Sequence, residues 1–194
     1  MKTNLLLPLF VLLAMTLQAQ DQSKFQYEPS VENPFGLPNP KAPPEIKDYD
    51  PLMGESHCKS VTRLPDQTWG DTTTMTWRYK YIMNGHAVQD ETFKEDWTYA
   101  GSIRQYNADS AAWYVHYYSI PGIPSTLPSW EGGKTNDTTM ILYRDNTAPN
   151  GMEGFYRITF SDISYDSFNW AGEWTSKDES IVYPLWYLFC EKKE

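Results

Sequence analysis

The segment Ser167–Ser176, SFNWAGEWTS, places Phe168, Trp170, Gly172 and Trp174 on one side of an extended chain. Asn169, Ala171, Glu173 and Thr175 fall on the other. Side chains alternate across a strand, whereas a helix would scatter these rings around its circumference. Thr73–Met83 repeats the pattern, with Met75, Trp77, Tyr79, Tyr81 and Met83 on one face and Thr74, Thr76, Arg78 and Lys80 on the other. Two strands with one aromatic face each require an interior walled by sheet, as in a sandwich or barrel.

Strand signals recur every eight to twelve residues from Gly54 onward, the cadence of an all-β domain. They cover Glu55–Arg63, Thr73–Met83, His86–Lys94, Thr98–Tyr106, Ala112–Ser119, Thr138–Arg144, Phe155–Asp162, Ser167–Ser176 and Ile181–Glu191. Asn84-Gly85 marks a tight hairpin, because a type I′ turn needs positive φ at both central positions. The interval Ile120–Asp137 is too long for a structureless loop in a compact domain. A tenth strand is expected there near Thr126–Trp130, flanked by Pro121, Pro124 and Gly132-Gly133. The predicted fold is an all-β, antiparallel up-and-down barrel of about ten strands. With an even count, the first and last strands run antiparallel at the closing seam. Cys58, near the start of one, and Cys190, near the end of the other, are then candidates for a disulfide. Two unlinked buried thiols are the alternative.

Residues 1–20 read as an export signal: charged Lys2, the apolar run Leu5–Leu17, and small Ala19 before Gln20 at a cleavage site. Residues 21–50 form a Pro-rich extended linker, read as a disordered spacer or a tether laid on the domain surface near Tyr49. Residues 51–194 are the barrel domain. No second apolar run reaches membrane length, so a periplasmic or secreted location without an integral membrane segment is expected. The net charge of −9 argues against nucleic-acid partners. Self-association is left open.

Four segments resemble a known family. TWRYKYIMNGHAVQDET, GSIRQYN, ITFSDISYDSFNWAGEW and LMGESHCKS are similar, in the right order, to motifs of the bacterial domain of unknown function 1579 family. The resemblance covers roughly residues 51–191. It implies a calycin-like barrel related in shape to lipocalins and haem-binding nitrobindins, and no agreed activity. His86 stands where the family usually carries Arg, and Glu55-Ser56 replaces its opening tryptophan.

Ligand-cavity candidates are Trp77, Tyr79, Tyr81, Trp113, Phe168, Trp170 and Trp174, which supply apolar area and polar ring atoms. Plain core filling competes with that reading. His86, Asp90 and Arg104 are polar candidates; Asp90 and Arg104, on neighbouring strands, also suit a structural ion pair. Haem requires an axial histidine, and His57, His86 and His116 lie outside the C-terminal region where the resemblance would put it. Those three also lack zinc spacing, so no cofactor or metal is expected. Glu173 lies beside Trp170 and Trp174 but should turn away from them. The strand Ala112–Ser119 is aromatic on both faces, Tyr114, His116 and Tyr118 pointing outward. The favoured function is binding of a small apolar or amphipathic molecule, without catalysis. The alternatives are a hydrolase or isomerase using His86, Asp90 and Arg104, and a carbohydrate- or protein-binding surface.

Overall fold

The computed structural model describes residues 24–95, 99–120 and 122–193; the export signal expected over residues 1–20 lies outside them. Ten strands follow a 3-10 helix, Pro44–Leu52: β1 (Gly54–Thr62), β2 (Thr73–Ile82), β3 (Ala87–Lys94), β4 (Tyr99–Asn107), β5 (Ala112–Ser119), β6 (Ser129–Asn136), β7 (Thr139–Thr147), β8 (Glu153–Ser161), β9 (Ser167–Ser176) and β10 (Val182–Lys192). Each strand pairs antiparallel with its neighbours in sequence, and β10 returns to β1, so the meander closes with no free sheet edge.

Alternation explains which face is inside. Met75, Trp77, Tyr79 and Tyr81 of β2 are buried, while Thr76, Arg78 and Lys80 between them are partly exposed. Phe168 and Trp170 of β9 are buried likewise. Pro184 is tolerated inside β10 because the ladder to β9 is irregular between Pro184 and Trp186.

Three local expectations need correction. The sixth strand starts at Ser129, not Thr126, and runs through Gly132 and Gly133, which looked like its boundary. Gly132 serves close approach: a Cβ there would lie 2.1 Å from the Ile141 carbonyl oxygen. Asn84-Gly85 is not a two-residue turn. Ile82 pairs with Ala87 across four residues, with positive φ at Met83, Asn84 and Gly85.

The third correction is to the disordered-spacer reading of the Pro-rich segment: its described residues, 24–50, lie against the barrel, as the tether reading has it. The Asn39 side-chain amide donates to the Asn84 carbonyl at 2.9 Å, and the Tyr27 backbone N–H donates to the Asn84 side chain at 3.1 Å. A Cβ on Gly85 would meet the Leu37 carbonyl at 2.4 Å, so this contact with the β2–β3 loop requires glycine. The 3-10 helix then closes one barrel end, burying Ile46, Tyr49 and Leu52.

Cys58 and Cys190 face each other in the β1–β10 register and form a disulfide. It closes a sequence separation of 132 residues. In the chain-entropy account such a loop contributes up to about 5 kcal/mol.

Candidate functional site

The barrel is filled at one end and hollow at the other. At the plugged end Tyr49 is edge-on to Trp113 with ring centroids 4.7 Å apart, and Trp113 Nε1 donates to Asp48 at 3.0 Å. Tyr81 donates its hydroxyl to Asp50. Trp77, Tyr79, Phe160 and Phe168 pack together above them.

A polar cluster forms the floor of the hollow part. Asp90 and Arg104 sit on the inner face of β3 and β4, diagonal to each other because Val88 pairs with Arg104 and Asp90 with Ser102. Arg104 Nε and Nη2 donate to Asp90 Oδ2 at 2.8 and 2.7 Å, and Trp77 Nε1 donates to Asp90 Oδ1 at 2.9 Å. Arg104 Nη1 donates to the Tyr49 hydroxyl at 3.1 Å, and its guanidinium lies over the Tyr49, Tyr79 and Phe160 rings. Burial pushes the Tyr49 and Tyr79 phenols above their ordinary range, so both remain neutral. Burial alone would lower Arg104, but Asp90 and the two phenols outweigh it and its pKa is raised. The pair is a neutral, satisfied unit with little capacity left for acid–base work.

Above this floor lies a cavity of about 340 Å³. Trp77, Trp130, Trp170, Trp186, Tyr117 and Tyr156 supply its aromatic wall, with Val115, Ile158 and Leu188 between them. Trp170 and Trp186 meet edge to face at 5.1 Å, and Trp186 Nε1 donates to Ser60 at 2.8 Å. Arg144 joins the wall, its guanidinium 4.3 Å from the Trp130 ring centroid and 5.6 Å from that of Tyr156. Burial lowers its pKa. A larger depression of about 920 Å³ runs past exposed His57, Lys59, Thr74 and Phe189 on the barrel's outside.

The seven aromatic candidates therefore divide. Trp77 and Trp170 line the cavity. Tyr79, Tyr81, Trp113 and Phe168 are buried but do not line it; they fill the plugged end. Trp174 is also buried, but it packs over Gly154 and donates to the Asn146 carbonyl at 3.4 Å. Of the polar candidates, Asp90 and Arg104 come together and His86 does not: it precedes β3, exposed in the β2–β3 loop. The acid–base site that needed all three to converge is not assembled. Glu173 is bound on the outer face by Arg157 at 2.7 Å, away from the cavity.

Outer aromatics of β5 are half-buried by neighbouring side chains: Gln89 donates to the Tyr118 hydroxyl at 2.6 Å, and His116 Nδ1 lies 2.6 Å from the Ser129 hydroxyl. No histidine lines the cavity. Among the described residues no cluster of three or more His, Cys, Asp or Glu could hold a metal.

Sequence reasoning missed Arg144, Trp130, Trp186, Tyr117 and Tyr156 as lining residues. Arg144 carried a readable signal, since it continues the inward alternation Met140, Leu142, Arg144 of β7.

No protein-family model matches the chain, and no curated protein matches it. Among solved structures, the crystal structure of Rv2717c from M. tuberculosis is similar, with a TM-score of 0.53 at 9% identity. The match covers 79% of this chain and 100% of that one. At that identity the likeness is one of fold.

Proposed function

We propose that this protein is an exported, calycin-like barrel that binds a small apolar or amphipathic molecule in its lumen, without catalysis. The observation that carries this reading is the aromatic cavity left above the Asp90–Arg104 floor, closed below by the 3-10 helix. A barrel whose only task was to fold would gain by filling that volume, since voids forfeit packing contacts. Exposed Ile120, Ile123 and Leu127, on the loop between β5 and β6, add apolar surface on the same side as the mouth. The signal-like N-terminus and the disulfide support an extracytoplasmic location. The four motif segments support a divergent membership in the domain of unknown function 1579 family.

Binding is tested by quenching of intrinsic tryptophan fluorescence and by thermal shift, using apolar probes such as 1-naphthol and 1-decanol. Saturable quenching in the micromolar range and a raised Tm are expected. Ala100→Phe, which places a ring in the cavity from β4, should abolish both while the protein stays folded. Probes that bind the filled variant as well as the wild type would count against a lumenal site.

A further inference from the structure

The cavity carries a charge that the protein has not neutralised. Its charged lining residues are Asp90, Arg104 and Arg144. Asp90 and Arg104 cancel each other, and Asp90 has both oxygens engaged by Arg104 and Trp77. Arg144 has no such partner. Among the described residues it makes no ion pair, and its contacts are the faces of Trp130 and Tyr156. Ring stacking engages the face of a guanidinium and leaves its N–H edge free to meet a planar acceptor. Arg144 therefore leaves the cavity lining at net +1 in a chain of net charge −9, and the Lys94 ammonium is a further cation 5.3 Å from the Trp186 ring centroid. The indole that Arg144 covers has a second unmet need: Trp130 Nε1 is buried with no hydrogen-bond partner. Two donors without a partner, Arg144 and the Trp130 indole, adjoin one another in the aromatic part of the wall.

We propose that the lumen selects a singly charged amphipathic organic acid, its carboxylate docked on Arg144 and its apolar body among Trp77, Trp170 and Trp186. This rests on the lumenal-binding reading above and gives it a ligand class. A carboxylate matches the guanidinium fork with two parallel hydrogen bonds. The cavity volume, near the low end for small-molecule sites, suits a compact acid.

The test compares pairs that share an apolar body and differ in the head group: decanoate against 1-decanol, and 1-naphthoate against 1-naphthol, by calorimetry at pH 7.5. Wild-type protein should bind each acid at least about tenfold more tightly than its alcohol. Arg144→Gln should bring acid binding down to the level of the alcohol in the same variant, so that the preference is lost. Arg144→Lys, which keeps the charge but not the fork, should retain part of it. Should Arg144→Gln fail to fold, the wild-type acid–alcohol contrast and Arg144→Lys still decide. Equal binding of acid and alcohol by wild type overturns the anion site while lumenal binding stands. Binding of neither pair overturns both.

Discussion

Arg104 is the residue on which the interior depends most. A guanidinium buried among Tyr49, Tyr79 and Phe160 is tolerable only because Asp90 sits within hydrogen-bond reach and the phenols offer further acceptors. Its partner Asp90 satisfies Trp77 as well, so removing either charge orphans several groups at once. Arg104→Met is expected to destabilise by about 3–5 kcal/mol, because it leaves a buried carboxylate supported by one indole N–H. Adding Asp90→Asn removes the stranded charge while the amide oxygen still accepts from Trp77. The double variant should therefore be more stable than Arg104→Met alone, read as urea midpoints in a double-mutant cycle. Strict additivity of the two losses would mean the groups are not coupled. Both residues were legible in the sequence as partners on neighbouring strands, because consecutive strands of a meander pair with each other. His86 was misleading, since alternation was extended to a position where the strand had not begun. Arg144 went unnoticed because an arginine ending a strand reads as solvated until its neighbours, Trp130 and Tyr156, are known to be rings.

Elements built from alternating rings were legible, and those held by close backbone contact were not. β2 and β9 have unbroken inward apolar positions, whereas β6, SWEGGKTN, has one inward ring, Trp130, followed by glycine. Its strand character comes from β5 and β7 on either side. The 3-10 helix was hidden by its prolines, yet it carried its own signal. Ile46, Tyr49 and Leu52 repeat every three residues, the period at which a 3-10 helix aligns its side chains. Tyr49 ties the helix to both the aromatic cluster and Arg104. Tyr49→Phe removes only the acceptor for Arg104 Nη1 and should lower stability by about 1–2 kcal/mol. Tyr49→Ala also removes a fully buried ring and should lower it by about 3–5 kcal/mol. Denaturant unfolding of both variants checks this. Equal, small losses would return the segment to the role of a spacer.

At the scale of the whole molecule, the plugged end sets how stability responds to alkaline pH. Lys192 ends β10 there, directing its ammonium to the Met53 carbonyl at the end of the 3-10 helix. Burial pulls its pKa down to about 8, against about 10.4 for an unfolded lysine. Between those values the unfolded chain holds a proton that the folded one has released, so stability rises with pH across that window. The phenols of Tyr49, Tyr79 and Tyr81 act in the opposite sense. Burial raises all three, and Tyr81 is raised further by Asp50. Above about pH 10 the unfolded chain loses phenolic protons that the folded chain keeps, so stability falls. The expected profile climbs from about pH 8, peaks near pH 10 and declines beyond it. The climb should amount to about 1–2 kcal/mol once solvent access to the half-buried ammonium is allowed for. Lys192→Met should flatten the climb and preserve the decline, because it removes the lysine titration and leaves the tyrosines in place. Urea midpoints at half-unit intervals from pH 7 to pH 11 would resolve both limbs. A climb that survives in Lys192→Met would assign it to a different group.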